Sequence, residues 1–167
     1  MVFTLFISSV ILLRISELIL AHSNKKWLLQ NGAKEYGKEH YPFIVAMHVS
    51  FFISIVVEYT LNGSVSWNPI LLILYFLLIV FKGWVIFSLG KFWNTKIYRI
   101  PKSPLVKKGP YKYIRHPNYV VVVFELILIP LVFELYLTAA LFTILNAIML
   151  TVRIKAEEKA FLASDQI

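Results

Sequence analysis

The sequence predicts an all-α integral membrane protein with five transmembrane helices, forming a single domain over residues 1–167. Three observations lead there. Hydrophobic residues make up 59% of the chain and charged residues 16%, against roughly 45–50% and 25% in soluble domains, and so short a chain cannot hide that apolar surface from water. The apolar residues fall in runs near the ~20 residues that cross a bilayer core. The charges fall in short stretches between the runs, with the basic residues confined to alternate connections.

The first span is expected at Val2–Ala21; it is apolar from Val2 onward and lacks a basic leader and small-residue cleavage site, so we read it as a retained helix. The second is expected at Pro42–Leu61 and the third at Pro69–Leu89. Residues 119–152 form a longer apolar run, about 51 Å as one straight helix and too long for one untilted span. Pro130 lacks a helical N–H and Glu134 is costly in lipid, so a hairpin turning between Pro130 and Thr138, with two short arms, is expected rather than one kinked helix. Residues 32–42, containing Gly32 and Gly37, read as a solvated interfacial loop.

Segment 90–118 holds eight Lys or Arg and no acid, whereas the turns near 62–68 and 131–138 hold no Lys or Arg. An excess of basic residues marks the cytoplasmic side. The N-terminus is then outside and the C-terminus inside the cell membrane, as an odd number of spans requires. The net charge of +8 has this juxtamembrane distribution and does not indicate a nucleic-acid partner. With no cysteine, disulfides, thiolate catalysis and Cys-based metal sites are excluded. Glu35, Glu39 and His40 approach metal-ligand spacing but lack a fourth ligand and an HExxH pattern, so no metal is expected.

Several charges stand inside apolar runs. Arg14 and Glu17 are three apart on one helical face and can pair. Glu125 lies six residues past Tyr119 and needs a partner or a proton, and contact with Lys82 would neutralise both. His48 raises the same question, while Glu58 is close enough to a span end to be solvated.

Two polar segments flank the last apolar run. In residues 109–119, GPYKYIRHPNY, Gly109 and Pro110 make a turn and Pro117 suits the first turn of the next helix. Tyr111, Tyr113 and Tyr119 offer stacking faces, and Arg115 and His116 offer donors. Read alone, the stretch is either a polar-ligand clamp or an interfacial belt. In the second segment, Arg153 and Glu157 are four apart on one helical face and Glu158 points about 100° away. One acid can hold Arg153 while the other holds a ligand's amine or hydroxyls; a charged helix end explains them equally well.

Together these segments resemble the isoprenylcysteine carboxyl methyltransferase family, whose pattern is Gly-x-Tyr-x-x-x-Arg-His-Pro-x-Tyr followed, after a helical hairpin, by Arg-x-x-x-Glu-Glu. Gly109, Tyr111, Arg115, His116, Pro117, Tyr119, Arg153, Glu157 and Glu158 match it. The resemblance covers roughly residues 75–162 and implies S-adenosylmethionine as cofactor, bound at the cytoplasmic face. It implies cofactor contacts for His116, Tyr119, Glu157 and Glu158 and places Arg153 at the methyl acceptor; we add Tyr111 and Pro117 as cofactor-binding candidates, and Arg115 and Glu125 as candidates for orienting the acceptor. Where the family often has glycine two positions after the tyrosine, this chain has Val121. The first 60 residues resemble a bacterial branch, through Arg14, Glu17, Asn24, Gly32, Glu35, His40, Tyr41 and His48. That branch is associated with O-methylation of long-chain alkylpyrones and with type III polyketide synthases. The implied partners are membrane lipids and an amphiphilic acceptor, an alkylpyrone hydroxyl or a carboxylate. Phospholipid N-methylation, an NADPH-dependent reductase on a related fold, and a non-catalytic scaffold or transporter are the rival readings.

Overall fold

The computed structural model describes residues 1–63 and 66–165. Five helices alternate in direction: α1 (Val2–Gln30), α2 (Tyr41–Asn62), α3 (Pro69–Leu89), α4 (Pro117–Leu131) and α5 (Tyr136–Asp165). Four of them are long and apolar enough to cross a membrane, and α4 is a shorter apolar helix. Val80 and Phe87 on α3 are 73% and 85% exposed, an outward-facing apolar surface that lipid, not water, is suited to cover. At 15 residues α4 is about 22 Å long, short of a ~30 Å core. It packs between α3 and α5, and Val121, Glu125, Leu126 and Ile129 are almost wholly buried.

Local chemistry sets the boundaries. The Asn68 side chain accepts hydrogen bonds from the backbone N–H groups of Ile70 (3.0 Å) and Leu71 (3.2 Å), satisfying free donors at the start of α3, and Pro69 occupies a position where a missing N–H costs nothing. The α4–α5 turn falls within residues 130–138 as expected, with Glu134 in the left-handed region at φ 57°. Glu58 is not simply solvated. Its carboxylate accepts from Leu137 N (3.0 Å) and Thr138 N (2.7 Å), because the unpaired donors at the start of α5 attract an anion. The middle of the expected turn at 62–68, residues 64–65, lies outside the described residues.

Three expectations need correction. First, α1 continues past Ala21 to Gln30. Asn24 is 6% exposed and donates to the carbonyls of Trp93 (2.8 Å) and Gly90 (3.2 Å), so tertiary contacts extend the helix beyond its apolar stretch. Second, residues 32–42 are not a loop throughout. Beyond α1, strand β1 (Lys34–Tyr36) pairs antiparallel with β2 (Ile97–Arg99), aligning Glu35 with Tyr98. Three-residue strands carry too little alternation to show in a sequence. Third, only one arm of the final hairpin is short. Nothing between Thr151 and Ala160 breaks the helix, Ala160 is fully buried, and α5 carries the Arg153–Glu158 segment as its continuation.

The apolar core gathers Phe6, Phe51, Tyr75, Leu126, Phe133 and Phe142. An apolar cleft of about 440 Å³ opens between α1 and α3, lined by Leu12, Leu13, Tyr75, Phe76 and Ile79 among others.

Candidate functional site

Two polar constellations stand on this frame. One lies within the helices and joins α1, α3 and α4. Arg14 contacts Glu17 at 3.1 Å and Glu125 at 2.8 Å. Lys82 contacts Glu125 at 2.8 Å and also Glu17. Two cations and two anions close a neutral ring, which is how charges become tolerable in an apolar setting. The Arg14–Glu17 and Lys82–Glu125 contacts are those the sequence suggested. Both Glu125 oxygens are engaged, and the residue is 1% exposed. His48 Nδ1 donates to the Ile44 carbonyl at 2.8 Å.

The second constellation sits at the basic end of the bundle, where α4 begins and α5 continues outward. Pro117 is buried at the first turn of α4, which brings Tyr119 against α5. Arg153 Nε donates to the Tyr119 hydroxyl at 2.9 Å, and Arg153 Nη2 donates to the Thr95 carbonyl at 2.7 Å. The Tyr119 hydroxyl donates in turn to Glu157 Oε1. Glu157 Oε2 lies 3.3 Å from His116 Nδ1, and Glu157 Oε1 lies 3.9 Å from Arg153 Nε, the contact between residues four apart. The His116 and Tyr119 rings stack with centroids 5.1 Å apart and planes 11° apart, and the Arg153 guanidinium lies over the Tyr119 ring at 5.4 Å. Tyr119 thus accepts from a cation and donates to an anion, which fixes both side chains of α5 relative to α4.

The turn before α4 is held by Gly109. It has φ +52°, and a Cβ there would fall 2.1 Å from Ser88 Oγ. Only glycine gives both the left-handed backbone and the close approach to α3. This turn carries Tyr111, whose hydroxyl is buried with no hydrogen-bond partner among the described residues. Burial, and then the nearby Glu157 charge, push the Tyr111 phenol above its ordinary pKa, so it remains a neutral donor.

Of the residues singled out in the sequence, His116, Tyr119, Arg153 and Glu157 come into direct contact, with Tyr111 and Pro117 in the adjoining turn. Glu158 is exposed and makes no hydrogen bond or ion pair among the described residues. Arg115 is exposed and is not brought to Arg153. Glu125 is not brought there either; it stands about 9 Å further along α4 than Tyr119, within the buried ring. Val121 is fully buried, so the position that is often glycine in the family serves as core packing in this chain.

Sequence reasoning named Glu35 and Tyr41 but missed the group that they form with Lys96 and Thr95. Lys96 Nζ lies 2.8 Å from Glu35 Oε1 and over the Tyr41 ring at 4.9 Å, and the Tyr41 and Thr95 hydroxyls are 3.3 Å apart. Burial works against the Glu35 carboxylate, but hydrogen bonds from Lys96 and Tyr98 outweigh it and hold its pKa below the usual range. Burial and the bond to Glu35 push the Tyr98 phenol up to about 12. Glu35 therefore belongs to a strand-pairing cluster, and no group of three or more His, Cys, Asp or Glu among the described residues could hold a metal ion. Thr95 meets Arg153 through its backbone carbonyl, which any residue type supplies, so no sequence signal could have found it.

An orphaned Tyr111 hydroxyl, an uncommitted Glu158 and an Arg153–Glu157 pair suit a ligand that has cationic and hydroxyl groups of its own, as S-adenosylmethionine does. The sequence profile of the isoprenylcysteine carboxyl methyltransferase (ICMT) family matches residues 70–163, which include every residue of the second constellation but not Glu35 and Tyr41 of the neighbouring group. The chain is 45% identical over 161 residues to the uncharacterized protein YpbQ of Bacillus subtilis (strain 168), covering 95% of both chains. It is 30% identical over 155 residues to an uncharacterized protein of Haemophilus influenzae, covering 90% of both. No solved structure matches it.

Proposed function

The chain belongs to the isoprenylcysteine carboxyl methyltransferase family, and we propose that it is an S-adenosylmethionine-dependent O-methyltransferase that acts at the cytoplasmic membrane face on a lipophilic acceptor. The observation that carries this reading is the Tyr119–Arg153–Glu157–His116 network, where an anchored guanidinium and a carboxylate stand side by side at the bundle's polar end. When bound, the cofactor supplies an electrophilic methyl group on a sulfonium.

The chain's own residues do the rest. Glu157, Glu158, His116, Tyr119 and Tyr111 would hold the cofactor, the acids facing its cationic and hydroxyl groups and the stacked rings offering flat apolar faces. Pro117 starts the helix that sets these rings. Arg153 is held at Nε and Nη2, and its remaining donors would orient the acceptor oxygen and stabilise it in anionic form, so that no strong base is required. A carboxylate or an enolic hydroxyl is already acidic enough. This favours O-methylation over N-methylation of a phospholipid amine, whose proton would need a base. The apolar cleft between α1 and α3 gives a hydrocarbon tail room at the lipid side.

An isoprenylcysteine-type carboxylate fits the family's chemistry most directly. An alkylpyrone hydroxyl, which a type III polyketide synthase would supply, offers the same acidic oxygen on a long tail. Purified protein with methyl-labelled cofactor should label S-farnesylcysteine-type carboxylates or 6-alkyl-4-hydroxypyrones and leave phosphatidylethanolamine unlabelled. Labelling of the amine lipid alone would overturn the O-methyl reading. In the same preparation, Glu158→Gln should weaken cofactor binding by roughly 10- to 150-fold, the worth of one charge-assisted hydrogen bond. Unchanged affinity by calorimetry would remove Glu158 from the site.

A further inference from the structure

A small cavity of about 10 Å³ lies beside Arg153, lined by Glu35, Tyr36, His40, Tyr41 and Lys96 among others. Residues 35–41 lie outside the segment that matches the family, residues 70–163. We propose that this N-terminal segment, with Lys96, completes the acceptor subsite by building a single-oxygen anion pocket against Arg153. The inference rests on the methyl-transfer reading and names what that site selects.

Four observations carry it. The cavity has room for about one water-sized group, hence one oxygen rather than a phosphate. Its lining carries two cations, Lys96 and Arg153, against one anion, Glu35, a surplus of one positive charge at the cavity wall; Glu157, 3.9 Å from Arg153, is not part of the lining. Arg153 Nη1 makes no hydrogen bond among the described residues, so the residue lining the cavity keeps a donor for a guest oxygen. Thr95 joins the two halves. Its carbonyl accepts from Arg153 Nη2 at 2.7 Å and its hydroxyl lies 3.3 Å from Tyr41 Oη, so the wall built by the N-terminal segment is in register with the guanidinium. The β1–β2 pairing and the Lys96–Tyr41 contact hold that wall in place. Gly37 makes the turn at φ +62°, and a Cβ there would fall 2.2 Å from the His40 ring. The pocket recognises an anionic oxygen carried by an apolar body, and neither a phosphate nor a cationic amine.

The chain has no cysteine, so single reporters can be placed without removing any. His40→Cys and, separately, Tyr36→Cys would be reacted with an anionic sulfonatoethyl and a cationic trimethylammonioethyl methanethiosulfonate. Rates are normalised to a free thiol, and folding is checked by gel filtration in detergent. One surplus charge nearby should favour the anionic reagent by about tenfold. Arg153→Met should abolish the preference. Dodecanoate or a 6-alkyl-4-hydroxypyrone should protect the cysteine, and dodecylammonium should not. In turnover assays Tyr41→Phe and Lys96→Met should raise the acceptor KM about tenfold while the cofactor Kd stays unchanged. Absence of anionic preference at both cysteines, or methyl transfer with an unchanged acceptor KM in both variants, overturns the pocket and leaves the methyltransferase reading standing. Anion preference and protection with no methyl transfer to any acceptor supports the pocket and defeats the methyltransferase reading instead.

Discussion

Arg153 contacts Tyr119, Thr95 and Glu157, and these contacts divide the roles open to it. Two of its nitrogens are anchored by Tyr119 and Thr95, and its approach to Glu157 is only 3.9 Å. If it holds the acceptor oxygen, Arg153→Met leaves cofactor affinity nearly intact and cuts turnover by about 10²–10³, the usual cost of losing one donor aimed at a reacting oxygen. Lys rescues only in part, because a point charge lacks the guanidinium fork. A charge-swapped Arg153→Glu, Glu157→Arg protein that recovered turnover would refute this role. Glu125 shows the contrasting case of a charge whose partners are all internal. Glu125→Gln leaves Arg14 and Lys82 to share Glu17 alone. Breaking a buried ion pair costs about 3–5 kcal/mol, so the midpoint of unfolding in detergent should fall markedly. Unaltered stability with lost turnover would move Glu125 from the frame to the acceptor.

At the scale of elements, the β1–β2 pair carries a pH signature. The folded-state pKa of Glu35 lies below the ordinary carboxylate value, so its contribution is present above about pH 4.3 and is lost as pH falls through the lower folded value. The raised phenol of Tyr98 works in the opposite sense. Its contribution is present below about pH 10 and is lost as pH rises through about 12. Amide-exchange protection of residues 34–36 should therefore fall at the acid end, and Glu35→Gln should flatten that limb. Equal protection at pH 3 and pH 7 in the parent chain would sink the assignment. The turn before α4 offers a steric test. Gly109→Ala meets both a left-handed φ and Ser88, and should cost about 1–3 kcal/mol. Adding Ser88→Gly should relieve the clash with Ser88 and leave both the backbone share and the approach to Trp84 Nε1 at 2.9 Å.

Across the whole molecule, the helices alternate so that two sets of contacts separate. Asn24–Trp93, Tyr41–Thr95 and Tyr119–Arg153 lie at one end, and Glu58–Thr138 and Asn68–Val132 at the other. The first end carries the basic segment 90–118, and the orientation rule assigns it to the cytoplasm. A reporter fused after Ile167 should be cytoplasmic and one inserted at Gly63 should be exterior. Finding both on one side would end the five-span arrangement. The short α4 belongs to this scale too. Flanked by α3 and α5, it needs no full-length contact with lipid, whereas an isolated 15-residue span would force the bilayer to thin.

What the sequence determined by itself was whatever is encoded locally. The bounds of the third helix, Pro69–Leu89, follow from Asn68, Pro69 and an apolar run of bilayer length, and the structure has the same bounds. The final turn follows from Pro130 and the polar residues after it, and the contacts Arg14–Glu17 and Arg153–Glu157 follow from helical spacing alone. Only the tertiary structure decided which distant groups meet. Arg14 and Glu125 are 111 residues apart and Arg153 and Thr95 are 58 apart, and neither pairing leaves a periodic trace. Helix α1 outlasts its apolar run because Asn24 finds carbonyls on a connection 66 to 69 residues away. The strand pair exists because that same connection passes beside residues 34–36. Hydropathy and capping act over one or two turns, so they can be read along the chain. A buried charge or an unpaired carbonyl is satisfied by whatever the fold brings to it, and that is settled only when the helices pack.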